Sequence, residues 1–289
     1  MQIAIASGKG GTGKTTIAVN LAAVADGEVR LLDCDVEAPN SRLFLRCDID
    51  REEPVTVATP EVDADRCSGC RACGEFCRFG AIFAPGKGGT PLIFPELCHG
   101  CGGCAVVCPT QAIREVARPI GQVRYGCWDG KGLIDGLLAK GESMTPTVIR
   151  AVKANAEPSG LTLIDAPPGT SCAAVEAVRD ADFVVLVTEP TPFGLHDLRL
   201  AVEMARRLGR RFGVVINRDG IGDDRVHQYC AAESIPLLST IPNERRVAET
   251  YARGGLLVDA IPALRPHFRE LLVQIREAVA TEQGGMATA

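Results

Sequence analysis

Short apolar runs alternate with stretches of helical periodicity along most of the chain. Residues 3–6, 29–32, 161–164, 183–187, 212–216 and 237–241 read as strands buried in a parallel sheet. Between them, 14–25, 147–156, 173–179, 194–208 and 225–233 have helical spacing. A long last helix is expected over 262–280, where Leu264, Phe268, Leu271, Leu272, Ile275 and Val279 form one apolar stripe. Strands alternating with helices predict an α/β fold, a doubly wound and mostly parallel sheet. The small polar tail, 281–289, is expected to fray. One segment breaks the alternation. From about residue 57 to residue 118 the chain is rich in Cys, Gly and Pro, and it contains two half-modules offset by 31 residues, from Cys67 to Cys98. Each half ends alike, in Cys77-Arg78-Phe79-Gly80-Ala81-Ile82 and Cys108-Pro109-Thr110-Gln111-Ala112-Ile113. A strand–helix–strand unit precedes the module and four or more strands follow it, so the module reads as an insertion. The expected domains are 1–57 with 119–289, and an inserted 58–118.

Composition narrows the class. With 289 residues, 46% hydrophobic and 23% charged, the chain can bury a core of ordinary size. Its 31 basic and 36 acidic side chains give a formal charge of −5, without the basic excess of a nucleic-acid binder. No run of 18 apolar residues suggests a membrane span, and residues 1–6 lack the pattern of a secretion signal. A cytoplasmic enzyme is the expectation, with neither a nucleic-acid partner nor a membrane anchor. The 13 cysteines are the exception to this ordinary composition. Eight lie between Cys67 and Cys108, which in a reducing compartment reads as metal ligation rather than disulfides.

Between the first strand and the first helix stands Gly8-Lys9-Gly10-Gly11-Thr12-Gly13-Lys14-Thr15, followed by Thr16. It satisfies the phosphate-loop pattern in the strand–loop–helix context the chemistry requires. Its glycines let backbone N–H groups curl around phosphate oxygens, and the helix N-terminus adds a favourable dipole. Lys14 is placed to neutralise the β- and γ-phosphates of ATP and the Thr15 hydroxyl to ligate Mg²⁺.

The second lysine, Lys9, makes the loop resemble the deviant phosphate loop of the MinD/ParA-type ATPases. That group also holds the nitrogenase iron protein and the Mrp-type iron–sulfur carriers. The resemblance implies that Lys9 reaches the partner's phosphates in an ATP-dependent dimer, either a homodimer or a heterodimer with a paralogue. It implies further roles one residue at a time. In Leu31-Leu32-Asp33-Cys34-Asp35, Asp35 matches the aspartate that positions the attacking water and Asp33 the one near Mg²⁺. In Leu163-Ile164-Asp165-Ala166-Pro167-Pro168-Gly169, Asp165 matches the residue that holds the Mg²⁺ shell. Asn217, in Ile216-Asn217-Arg218, resembles the family's adenine-reading asparagine, with a plain strand-end turn as the alternative.

Cys67-x₂-Cys70-x₂-Cys73-x₃-Cys77 and Cys98-x₂-Cys101-x₂-Cys104-x₃-Cys108-Pro109 both resemble the bacterial ferredoxin run, in which the fourth cysteine serves the other cluster. The resemblance implies one [4Fe–4S] cluster on Cys67, Cys70, Cys73 and Cys108, and a second on Cys98, Cys101, Cys104 and Cys77. Four thiolates also suit zinc, the alternative metal. Arg78 stands where the run usually has proline. Taken together, the chain resembles MinD-superfamily ATPases with an inserted ferredoxin domain, and 187–194, Val-Thr-Glu-Pro-Thr-Pro-Phe-Gly, adds to that likeness.

Two further cysteines resemble the cluster-bridging pair of the nitrogenase iron protein: Cys172, seven residues after Asp165, and Cys127 in its glycine-rich context. The likeness implies an additional cluster or metal between subunits, against a plain packing role for Cys172. Cys34, Cys47 and Cys230 read as packing residues. The function expected is a Mg²⁺-dependent ATPase whose dimer switch gates electron transfer to a redox partner. The alternatives are a carrier that delivers clusters or metal to an apo-metalloprotein, and a positioning ATPase with a redox-sensing insert.

Overall fold

The apolar runs become the interior of a parallel sheet in a computed structural model that describes residues 1–86 and 88–280. The tail expected to fray, 281–289, lies outside the described residues. In chain order the strands are β1 (Gln2–Ala6), β2 (Val29–Asp33), β3 (Arg51–Val62), β4 (Ile82–Phe83), β5 (Leu92–Ile93), β6 (Ile113–Trp128), β7 (Lys131–Leu138), β8 (Leu161–Asp165), β9 (Phe183–Thr188), β10 (Phe212–Asp219) and β11 (Leu237–Pro242). The helices are α1 (Lys14–Val24), α2 (Ser41–Leu45), α3 (Ala72–Phe76), α4 (Gly103–Val106), α5 (Thr145–Lys153), α6 (Cys172–Val178), α7 (Pro192–Arg207), α8 (Arg225–Ala232), α9 (Arg245–Ala252), α10 (Leu257–Ala260) and α11 (Leu264–Ala280). Two compact units result: Met1–Glu52 with Val123–Leu137 and Ile149–Ala289, and Glu53–Gln122 with Leu138–Val148.

In the larger unit the strand order is β11-β10-β9-β1-β8-β2-β7, and every pair in that row is parallel. Side chains alternate across each strand, so both faces must be covered. On one face Ile3, Ile5, Leu31, Leu133, Leu163 and Val185 pack with α1 and α11 through Ile17, Leu21, Phe268 and Ile275. Helices α6 and α7 rest on the sheet against β1, β8 and β9. Strand β1 lies between β8 and β9, where the strand order turns back. A crevice opens at the carboxyl end of a strand in that position, and the phosphate loop leaves from there.

The six expected strands are all present, each longer by one to three residues. Strands β3, β6 and β7 escaped the sequence reading because glycine and proline interrupt their apolar pattern, as Gly132 and Gly136 do in β7. The segment 126–132, read as a cysteine-ligand context, is a two-residue hairpin between β6 and β7. Asp129 (φ 48°) and Gly130 (φ 73°) both take the left-handed conformation such a turn demands.

The smaller unit is built differently. Strands β3 and β6 run antiparallel within it, joined for instance by the Asp63 N–H on the Ala112 carbonyl at 2.7 Å. Ile82 pairs with Ile93 in the β4–β5 ribbon. The 31-residue repeat extends to the backbone. Gly69 and Gly100 have φ of 68° and 66°, and Arg71 and Gly102 have 70° and 72°. Around its cysteines a buried apolar cluster joins Cys73, Ile82, Cys104 and Ile113, two equivalent pairs and half of them thiols. A cluster of that size contributes little stability by itself.

Candidate functional site

The phosphate loop enters α1 through Gly13, whose φ of 95° only glycine adopts without strain, and no side chain caps the helix. The first N–H groups of α1 therefore face outward as donors for an anion. Gly13 is required for a second reason: a Cβ there would lie 2.3 Å from Asn217 Nδ2. Gly8 has a packing role the motif did not reveal, since a Cβ on it would meet the Asp197 carbonyl of α7 at 2.0 Å. The Gly169 N–H donates to the Ser7 carbonyl at 2.9 Å, tying the loop after β8 to the phosphate loop.

Strand register sets the electrostatics. Asp135, Asp33 and Asp165 are direct neighbours across β7, β2 and β8, and all three are buried. Each is handled differently. Asp135 is neutralised by Arg42 and by Arg124, the latter at 2.6 Å. Asp33 accepts backbone N–H groups from Asp35 (3.1 Å), Asn40 (3.0 Å) and Ser41 (2.9 Å), so both oxygens organise the loop after β2. Asp165 accepts the Thr15 hydroxyl on Oδ2 at 2.5 Å, while its buried Oδ1 has no partner. Burial, followed by the charge of Asp33, holds the Asp165 carboxyl well above the usual range. Burial raises Asp33 as well, and pushes Asp35 up to about 6 with help from Asp33. The same burial lowers Lys14, against the attraction of Asp165, Asp35 and Asp33. An orphaned carboxylate oxygen beside a threonine hydroxyl, in a buried acidic cluster, is a donor set that fits Mg²⁺.

Lys9 lies against Glu189, Nζ to Oε2 at 3.2 Å, and Glu189 Oε1 accepts Arg218 at 2.7 Å. Asn217 donates from Nδ2 to the Thr12 carbonyl at 2.8 Å and accepts the Arg218 N–H on Oδ1 at 3.0 Å. Asn217 also lines a cavity of about 200 Å³ with Gly11, Gly13, Thr16, Val247 and Tyr251. The cavity adjoins the phosphate loop. The wall from α9 was not anticipated, because α9 has no motif. Gly10 stands in the loop and Thr16 in the first turn of α1.

The cysteines sort into two cavities within the smaller unit. One, of about 20 Å³, is lined by Cys67, Cys70, Cys73 and Cys108. The other, of about 510 Å³, is lined by Cys77, Cys98, Cys101 and Cys104, together with Arg78 and His99. In each, the fourth cysteine comes from the other run. Backbone donors already point at sulfur: Ala112 N–H to Cys108 Sγ at 3.2 Å and Gly100 N–H to Cys98 Sγ at 3.4 Å. Burial raises the Cys73 and Cys104 thiols. At Cys108 burial acts the same way, but the Ala112 and Thr110 donors outweigh it and the net shift is downward. Among the described residues no three His, Cys, Asp or Glu side chains converge as ligands of a single ion. Thiolates holding a cubane cluster sit at its separate corners rather than around one ion, and four thiols in each wall are the donor set such a group takes.

Residues 3–258 match the family described as the CobQ/CobB/MinD/ParA nucleotide binding domain. The chain belongs to that family. Two uncharacterised proteins of Methanocaldococcus jannaschii are each 31% identical to it, one over 88% of this chain and 90% of its own, the other over 96% and 98%. The septum site-determining protein MinD of Pyrococcus horikoshii, solved in complex with Mg-ADP, shares the fold with a TM-score of 0.57 at 20% identity, covering 97% of both chains. The chain is thus a MinD/ParA-family α/β P-loop protein with a mostly parallel central sheet.

Outside these sites, Cys127 is exposed on β6 and Cys172 is exposed at the first position of α6, so Cys172 does not pack as a buried small residue. Cys34, Cys47 and Cys230 are buried, as expected of packing residues. His99 stacks on Phe79 with ring centroids 4.0 Å apart. Among the described residues no helix is long and apolar enough to cross a membrane.

Proposed function

We propose that this MinD/ParA-family protein is an ATP-hydrolysing switch whose nucleotide-driven dimer gates electron transfer from two [4Fe–4S] clusters, held on an insert at 58–118, to a partner protein. The partition of eight cysteines into two walls of four, with the fourth members exchanged, carries the iron–sulfur part of the reading. Two complete runs of Cys-x₂-Cys-x₂-Cys-x₃-Cys in tandem favour clusters over zinc, the alternative metal. Bound there, the clusters supply one-electron transfer, tuned by hydrogen bonds to sulfur and by solvent access. The poverty of the apolar core around Cys73 and Cys104 also supports a bound group that contributes folding free energy.

At the phosphate loop Lys14 and the free N–H groups of α1 hold the triphosphate, and Asn217 with the α9 wall holds the base. The Thr15 hydroxyl and Asp165 Oδ1 would hold Mg²⁺, which would supply charge neutralisation, while Asp33 fixes the loop after β2 beside them. Asp35 orients the attacking water. Lys9 crosses to the partner's phosphates in the closed dimer. Hydrolysis removes the γ-phosphate that held the loops, and the dimer reopens.

A second reading, delivery of a cluster or metal to an apo-protein, is favoured by the exposed thiols Cys127 and Cys172, which could hold a labile group between subunits. One experiment separates the readings. The anaerobically reconstituted, chemically reduced chain is mixed with ATP or ADP and oxidised flavodoxin as a one-electron acceptor, while cluster EPR signals and protein-bound iron are followed. Faster oxidation with ATP at constant iron supports gated electron transfer. Loss of iron to an added apo-ferredoxin supports delivery. Redox behaviour indifferent to nucleotide overturns the coupling, and leaves the positioning alternative.

A further inference from the structure

The family resemblance gives Lys9 a role in trans but says nothing of where it rests in the single chain. In this structure it rests on Glu189. The carboxylate is nearly buried, its side chain 9% exposed, and it carries two cations, Lys9 on Oε2 at 3.2 Å and Arg218 on Oε1 at 2.7 Å. Its position is rigid. The Glu189 carbonyl accepts the Thr191 N–H at 2.8 Å, the Thr188 hydroxyl donates to the Gly194 carbonyl at 2.9 Å, and a Cβ on Gly194 would strike the Glu189 carbonyl at 2.1 Å. The close fit of Gly8 against the Asp197 backbone brings the start of the phosphate loop to the same helix end. Thus the turn between β9 and α7 holds a fixed carboxylate against the lysine.

We infer that Glu189 is a positioning residue that restrains the Lys9 ammonium within its own subunit until a partner's triphosphate competes for it. The inference rests on the ATP-dependent dimer proposed above. A largely buried carboxylate that loses its only cation is costly, because an uncompensated charge stays behind. Glu189 escapes that cost: when Lys9 leaves, Arg218 remains on the other oxygen. Arg218 is itself anchored through Asn217 to Thr12 of the phosphate loop, so the standby cation stays in place. Lys9 can therefore depart for a competing anion, and a γ-phosphate bearing Mg²⁺ and facing the partner is a stronger competitor than ADP. By stabilising the separated subunit, Glu189 sets a threshold for self-association that ATP clears through its γ-phosphate and ADP does not, a differential interaction of the kind a population shift requires.

The test compares the full-length wild type with Glu189→Gln, which keeps shape and removes the charge. Monomer affinity for a fluorescent ATP analogue and self-association by analytical ultracentrifugation are measured with ATP, with ADP and without nucleotide. Glu189→Gln is expected to tighten ATP-dependent self-association about tenfold, a typical coupling between sites, and to allow association with ADP. A merely structural role predicts instead a loss of nucleotide affinity or of folding. In a Lys9→Ala background the same substitution is expected to change nothing, since the effect runs through Lys9. Should Glu189→Gln not fold, Glu189→Asp withdraws the carboxylate by one methylene and is expected to move self-association the same way by a smaller factor. Unchanged self-association with ATP and with ADP in either folded variant, or an equal effect without Lys9, overturns the inference while leaving the dimer intact. A wild type that does not self-associate with ATP overturns the dimer reading itself, and this inference with it.

Discussion

Lys14, Thr15 and Asp165 make an arrangement of buried charge left partly uncompensated, since Asp165 Oδ1 has no partner. Burial lowers the lysine, and burial with the charge of Asp33 raises the Asp165 carboxyl. Nucleotide and Mg²⁺ resolve both deficits, so removal of one member has a sharp effect. Lys14→Ala is expected to weaken ATP binding at least about a hundredfold, read by a fluorescent analogue, because a partly buried phosphate loses its charged hydrogen bond. Asp35→Ala is expected to keep nucleotide but lower turnover by about 10² to 10⁴, read as phosphate release, as for loss of a group that positions a reacting water. Thiols give a pH-dependent test. Burial pushes Cys230 up to about 11, above its unfolded value, so at pH 9 about 1% is thiolate in the folded protein. Iodoacetamide between pH 7 and 9 should therefore label the exposed Cys127 and Cys172 and spare Cys230 until the chain is unfolded, as mass spectrometry would show.

Turns carry as much of the specification as the strands they join. The hairpin between β6 and β7 needs two left-handed residues in succession, supplied by Asp129 and Gly130. Gly130→Val should cost about 1 to 2 kcal/mol, the penalty for a side chain forced into that region, and should lower the thermal midpoint without abolishing nucleotide binding. Gly13→Ala should cost at least as much stability, because its φ of 95° is left-handed too and the new Cβ would push on Asn217. It should lower ATP affinity as well, which isothermal titration alongside circular dichroism can separate. Much of this scale was legible in advance. The helices and buried strands of the sheet stand within a few residues of their expected bounds, because a doubly covered strand must be apolar along its length. The strands that escaped, β3, β6 and β7, are partly exposed and broken by glycine or proline, so they carry neither a continuous apolar run nor clean alternation.

The two compact units differ in what holds them. The larger has a deep aliphatic core on a seven-strand row. Around its cysteines the smaller has a buried apolar cluster of Cys73, Ile82, Cys104 and Ile113, half of it thiols. Chelation of iron from the reconstituted protein should therefore unfold the smaller unit while the larger still binds nucleotide. Loss of visible absorption and a sharp rise in proteolysis confined to 53–122 would report it. Serine substitution at Cys77 or at Cys108 should each remove half of the bound iron. Surviving EPR signals should show that Cys108 belongs with Cys67, Cys70 and Cys73, and that Cys77 belongs with the second run.

What the amino-acid order carries alone is pattern written in short, contiguous spacing: the phosphate loop, the two thiol runs and the buried strands. Each depends on local geometry, a turn, a helix start or a pleat, which a handful of neighbouring residues impose. Only tertiary structure decided that Glu189 meets Lys9 across 180 positions, that three aspartates stand in one row, and that Gly8 is closed by α7. Those contacts arise from the register of parallel strands and the order in which they are wound. No local pattern encodes either, because a crossover brings together residues whose spacing along the chain is free to vary.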